Sequence, residues 1–141
     1  MGWQINRYTP QQTLDKLLDA MRVAYIQIPG WIAGCTTISD VVFVDGIYRA
    51  LNNTLNRVGE LQTDTLGVPE FRAYAESQYG VGFDAVAEWL AWRNAAQAIT
   101  TWCEVNNTGT LTSGQARPTI DASPLRPLLE TLQSLSEDGT I

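Results

Sequence analysis

The residues best suited to acid–base or metal chemistry are two pairs of carboxylates, each spaced by one helical turn. Asp15 and Asp19 form the first pair, and Asp84 and Glu88 form the second. Side chains four residues apart share one helix face, so each pair could bind a metal ion or act as acid and base. The same spacing is typical of solvated helix faces, and a helix start favours negative charge. We therefore predict no catalytic residues and no enzyme.

Other catalytic patterns are also missing from the sequence. The chain contains no histidine, so a serine or cysteine nucleophile would lack its commonest base. The string Gly80-Val81-Gly82 supplies the first two glycines of a dinucleotide fingerprint, but Ala85 stands at the third position and no strand is predicted before it. We interpret this string as a helix-breaking turn and predict no bound cofactor.

The two cysteines, Cys35 and Cys103, lie far apart in the sequence. A structural zinc site needs about four ligands from cysteine, histidine or carboxylate groups, so two cysteines without histidine do not predict a metal site. We interpret both as small buried residues in a reducing compartment, with a disulfide between them as the alternative.

The charge distribution argues against nucleic acid and membrane partners. Nine basic residues are scattered among 15 acidic ones, which gives a net charge of -6. Binding to phosphates requires several cations on one face, so no direct specific nucleic-acid binding is expected. No apolar run reaches the roughly 18 residues of a membrane span, and residues 1–7 lack the apolar core of a signal peptide.

The first predicted helix has a clear start. Thr9-Pro10-Gln11-Gln12 combines a capping threonine, a proline at the first helical position and a glutamine at the third. Apolar residues then recur at three- and four-residue spacing until Ile28, before Pro29-Gly30. This pattern predicts a helix over residues 10–28, followed by a connection over 30–39.

Residues 38–48 fit two structures. Ile38 to Val44 is rich in β-branched residues, and Asp45-Gly46 could form a hairpin turn. From Val44 to Leu61, however, the apolar residues keep a helical spacing. We choose a helix over residues 40–61.

Two more helices are predicted in the body of the chain. Pro69 suits the first turn of a short helix that stops at Gly80. Residues 83–104 are apolar around much of the helix circumference, which is typical of a central element. We interpret Trp89, Trp92 and Trp102 as core residues, with a ligand-binding wall or an interface anchor as the alternative.

The C-terminal part of the sequence changes character at residue 106. Residues 106–123 are rich in Asn, Thr, Gly, Ser and Pro, which predicts a linker or extended arm. A helix over 124–136 follows, and its apolar face is Leu125, Leu128, Leu129, Leu132 and Leu135. We predict that these leucines contact a neighbouring subunit, and that deleting residues 106–141 leaves the rest folded.

These elements predict a mainly α fold: a compact bundle of about four helices at residues 1–105, with an extended C-terminal arm at 106–141 that ends in a short amphipathic helix. Charged residues make up only 17% of the chain, and such a surface favours lasting contact with proteins. The predicted function is a non-enzymatic structural or interaction subunit of a homo-oligomer. The alternatives are a helical regulator or chaperone that binds a partner peptide, and a carboxylate-dependent enzyme.

A compact helical body over residues 10–104, followed by an arm over 106–136, resembles small virion proteins of tailed phages. The chain is most similar in type to the helical head-to-tail adaptor, or connector, proteins beneath the portal ring. The resemblance implies copies arranged in a ring within a virion, with the arm against the portal or an adjacent copy. Without it, the expected location is the cytoplasm.

Overall fold

The computed structural model describes residues 9–59, 68–106 and 119–138. These residues form helices α1 (Pro10–Gly34), α2 (Val41–Gly59), α3 (Pro69–Tyr79), α4 (Ala85–Asn106) and α5 (Leu125–Asp138). Two short strands, β1 (Ser39–Asp40) and β2 (Thr119–Ile120), pair in an antiparallel ribbon. The prediction of a mainly α, compact helical fold is confirmed.

Helix α1 begins as predicted but ends later. The amide nitrogen of Gln12 donates to Thr9 Oγ1 at 3.1 Å, and that of Thr9 donates to Gln12 Oε1 at 3.0 Å. The predicted end at residue 28 is wrong, because the helix continues through Pro29 to Gly34. A proline inside a helix costs about 3 kcal/mol, because it lacks a backbone donor and its ring crowds the carbonyl four residues earlier, but Trp31 and Ile32 in the next turn pack against the core. Tertiary packing thus outweighs the local stop signal.

Helix α2 resolves the ambiguity at residues 38–48 in favour of the helix. Only Ser39 and Asp40 are extended, and the Asp40 carboxylate accepts from the amide of Val42 at 2.7 Å in the first turn. Val44, Ile47 and Leu51 are completely buried at helical spacing. A hairpin would place alternate residues of this segment on opposite faces, so it could not bury this stripe. Residues 60–61 of the predicted helix lie outside the described residues.

Helix α4 is the central element, as predicted, and lies between α2 and α5. Trp92, Ala96 and Ile99 are completely buried, and the rings of Trp89 and Trp92 stack with centroids 5.4 Å apart. The interpretation as core residues is confirmed for Trp89 and Trp92, whereas Trp102 is half-buried and packs against the core. Leu90, an apolar residue of the same helix, is exposed instead.

Helix α5 docks on its own chain, against α4 and α1. Leu125, Leu129 and Leu132 are completely buried, whereas Leu128 and Leu135 pack at the edge of the core. Within α5, the hydroxyl of Ser136 accepts a buried hydrogen bond of 3.0 Å from Trp92 Nε1. The helix therefore completes the core of the bundle.

The segment that leads into α5 is also attached to the bundle. Strand β2 pairs with β1, and the amide of Ala122 donates to the carbonyl of Thr37 at 3.2 Å. Arg126 Nη2 donates to the carbonyl of Cys35 at 2.6 Å. We therefore revise the division into a body at 1–105 and an arm at 106–141, because residues 119–138 share the core of residues 9–106. The arm residues 107–118 and 139–141 lie outside the described residues.

Candidate functional site

Asp84, of the second carboxylate pair, has structural partners instead. Asp84 caps helix α4, since its Oδ1 accepts from the amides of Val86 at 3.0 Å and Ala87 at 3.1 Å. Its Oδ2 lies 3.6 Å from Arg72 Nη1. Glu88, one turn on, is half-buried, so the structure brings this pair together only as the charged first turn of a helix.

The first carboxylate pair lies on the outer face of α1. Asp15 is exposed, and Asp19 Oδ1 lies 3.6 Å from Arg22 Nη1 in an exposed ion pair. Within residues 9–59, 68–106 and 119–138, no three metal-ligating side chains form a group. Neither pair therefore makes a recognisable metal or acid–base site in the described structure.

The glycine-rich string forms the predicted turn between α3 and α4. Gly80 and Gly82 adopt φ angles of 112° and 91°, which only glycine adopts readily. The amide of Gly82 donates to Glu76 Oε2 at 2.8 Å, so a carboxylate of the same chain occupies this donor. The string is thus a turn, as predicted, in which one amide donor already has an acceptor within the chain.

Both cysteines are buried, as predicted, and both are free thiols. Cys103 Sγ lies 3.9 Å from the carbonyl oxygen of Val44. Burial raises the pKa of Cys103 to about 12 and also raises the pKa of Cys35, although the positive charge of Arg126 partly opposes the shift at Cys35. The thiolate is the reactive form, so neither cysteine is suited to nucleophilic catalysis.

One end of the bundle carries exposed apolar side chains. Ile38 and Val42, at the start of α2, are 58% and 42% exposed, and Val105, at the end of α4, is 71% exposed. The contact between Cys103 and Val44 brings the end of α4 beside the start of α2, so these three side chains share one end of the molecule. We call Ile38, Val42 and Val105 the apolar end.

The charged groups near the apolar end include several with partners in the chain. Arg49 Nε donates to Asp45 Oδ2 at 2.6 Å. The carboxylate of Asp121 accepts from the hydroxyl and the amide of Ser123, which lowers its pKa. A carboxylate at the start of α2, Asp40, likewise accepts from a backbone amide. These interactions give each carboxylate a hydrogen-bond donor within its own chain, and the ion pair with Arg49 offsets the charge of Asp45.

Sequence reasoning missed the apolar end, although part of its signal was present in the predicted helix over 40–61. Val41 and Val44 are buried, whereas Val42 points away from the core. At 3.6 residues per turn Val42 lies about 200° around the helix from Val44, wherever the helix begins, so a helical wheel sets it apart from the buried stripe. Ile38 lies outside any periodic element and gave no such signal.

The leucines predicted to contact a neighbour lie mostly inside the chain. Leu125, Leu129 and Leu132 have no exposed surface, so in this conformation they cannot also bind another subunit. Leu128 and Leu135 are half-buried at the edge of the same face. An intermolecular role for these two stays a prediction.

The chain matches no protein-family model, no curated protein and no solved structure. Among the helices of the described residues, none is both long and apolar enough to cross a membrane.

Proposed function

We propose that the protein is a non-enzymatic structural subunit that associates with further copies of itself through the apolar end. The observation that supports this proposal most directly is the placement of three exposed apolar side chains, Ile38, Val42 and Val105, at one end of a chain of low charge content. Exposed apolar side chains that lie together are typical of protein–protein contacts, whereas singly scattered ones are common on any surface.

The size of this surface limits the strength of a single contact. Burying an aliphatic side chain contributes roughly 1.5 to 3 kcal/mol, and association must offset the loss of translational and rotational freedom. Three such side chains therefore favour weak pairwise association. An assembly in which each copy makes several contacts would be much stronger through avidity.

The resemblance to head-to-tail adaptor proteins of tailed phages gives this proposal a specific form. A subunit of that type would stand in a ring within the virion, next to the portal. The net charge of -6 suits the wall of a channel through which DNA passes, because such a wall should not retain DNA.

The test compares charge substitutions at the apolar end and at the opposite end of α4. The double variant Ile38→Asp, Val105→Asp places charges on the proposed contact surface, whereas Val81→Asp alters a valine that is 99% exposed in the turn before α4. The 22 residues of α4 span about 33 Å, so the two sites are well separated.

Mass in solution, measured by light scattering and native mass spectrometry over a concentration series, gives the result. The proposal expects the native chain and Val81→Asp to form oligomers at high concentration and the double variant to remain monomeric. Equal association of all three proteins, or a monomer at every concentration, would contradict it. A monomer that binds an apolar peptide at this end would favour the regulator or chaperone alternative instead.

A further inference from the structure

The terminal segment, residues 119–138, is held to the rest of the chain at both of its ends. At its beginning, β2 pairs with β1 and Arg126 binds the carbonyl of Cys35 at 2.6 Å. At its other end, Ser136 accepts the 3.0 Å hydrogen bond from Trp92. These contacts involve only the α1–α2 junction, α1 and α4, so a terminal segment from another copy could make all of them.

The positions at which residues 107–118 join the described structure lie together at the apolar end. Asn106 is the last residue of α4. It follows Cys103 by three residues, and Cys103 contacts Val44 near the start of α2. Thr119 is the register partner of Asp40, immediately before α2. Two copies that meet through their apolar ends therefore place the end of each α4 beside the other's binding site for β2.

The connection is long enough to reach that site. The thirteen steps from residue 106 to residue 119 can span at most roughly 45 Å. A folded chain of this length is roughly 40 Å across. A terminal segment can therefore cross to a neighbour that touches the apolar end.

We propose that the terminal segment is exchanged between copies: residues 119–138 of one copy occupy the site between α1 and α4 of a second copy. This inference rests on the proposed function, because the copies must first meet through the apolar end. Exchange preserves every contact of the segment, so concentration sets the balance. A short tether gives an effective concentration of the order of millimolar, which favours the intramolecular form when the protein is dilute.

The test uses a disulfide between register partners of the ribbon. Directly opposed residues of antiparallel strands have Cα atoms about 4.5 to 5.5 Å apart, which suits a disulfide. One full-length chain carries Asp40→Cys and another, of different isotopic mass, carries Thr119→Cys. The two chains are mixed at high and at low protein concentration in a buffer of reduced and oxidised glutathione. Formation of each disulfide oxidises two cysteine thiols, and their two protons and two electrons convert one oxidised glutathione into two reduced glutathione molecules.

If the segments exchange, the mixture at high protein concentration should contain a disulfide-linked heterodimer. This heterodimer should be more abundant than the disulfide-linked homodimers of either chain, and it should not form in the dilute mixture. A chain carrying both substitutions should shift from an internal disulfide when dilute to linked dimers when concentrated. The native cysteines are buried and should contribute little to either product. If circular dichroism shows that Asp40→Cys does not fold, Ser39→Cys with Ile120→Cys provides the same test on the adjacent register pair.

The outcomes separate this inference from the proposed function. Oligomers that form normally but yield only internal disulfides in the double-cysteine chain, and no heterodimer above background, overturn exchange alone. A chain that stays monomeric at every concentration and yields only internal disulfides overturns both proposals.

Discussion

At the scale of single residues, Gly34 permits the close approach of α1 and α2. A Cβ atom at this position would overlap Cζ of Phe43 and lie 2.7 Å from its Cε1. Such overlap forces the ring or the backbone to move, and overpacking of this kind destabilises by about 1–3 kcal/mol. We expect Gly34→Ala to lower the free energy of unfolding by that amount in urea denaturation.

Gly30 provides the matched control for this substitution, because it lies in the same helix. A Cβ atom at Gly30 would meet nothing within 4 Å. Replacing glycine by alanine inside a helix stabilises it by about 0.5–1 kcal/mol, so Gly30→Ala should raise the urea midpoint. If both variants move the midpoint in the same direction, steric contact with Phe43 is not what fixes glycine at residue 34.

The buried thiol of Cys103 predicts a loss of stability at alkaline pH. Its folded-state pKa of about 12 exceeds the value of about 8.5 for a thiol in an unfolded chain. The unfolded state therefore releases this proton at lower pH than the folded state. Stability is unaffected below the unfolded pKa and falls as pH rises from there toward about 12.

Denaturation midpoints measured from pH 7 to pH 11 test this effect, with Cys103→Ala as the control for titrating tyrosine and lysine residues. The native chain should lose stability more steeply than the variant above pH 9. Parallel curves would show that the thiol ionises equally in both states.

At the scale of elements, α5 is expected to be essential for folding rather than an optional arm. Leu129→Ala removes a completely buried side chain, which typically destabilises by about 2–5 kcal/mol. Leu128→Ala is the control, because the neighbouring leucine is only half-buried and should lose much less. Thermal melting followed by circular dichroism compares them, and equal melting temperatures would show that α5 does not dock as described.

Truncation tests the same element more severely. Deleting residues 107–141 removes three completely buried leucines and leaves the indole nitrogen of Trp92 without its acceptor. We expect residues 9–106 to lose their cooperative thermal transition. A sharp transition in the truncated chain would instead restore the division into a body and an arm.

The elements show how far the sequence could predict the structure. The capping box at Thr9, the helical phase from Val44 and the tryptophans of α4 are local patterns, and each predicted its element correctly. The end of α1 and the docking of α5 depend on tertiary contacts that no local pattern reports. The polar composition after residue 106 suggested a tether to another subunit. In the structure, however, Arg126 and Ser136 form hydrogen bonds that hold α5 against its own bundle.

At the scale of the whole molecule, charge and apolar surface act in opposite directions on association. A net charge of -6 makes copies repel one another, whereas the exposed side chains of the apolar end favour contact. The repulsion is electrostatic and is screened by salt, whereas the apolar contact is not. Salt therefore distinguishes an apolar contact between copies from one held by ion pairs.

The final prediction is that salt strengthens association of the native chain. Raising NaCl from about 0.01 M to about 1 M shortens the screening length from about 30 Å to about 3 Å, which removes most of the repulsion between copies. Sulfate should act further, because it is excluded from protein surfaces and favours burial of apolar groups. Sedimentation equilibrium should therefore show an association constant that rises with NaCl and is higher still in sulfate at equal ionic strength. The double variant Ile38→Asp, Val105→Asp, which lacks the apolar contact, should stay monomeric throughout. An association constant that falls as NaCl rises would mean that ion pairs hold the copies together, and the apolar end would not be the contact surface.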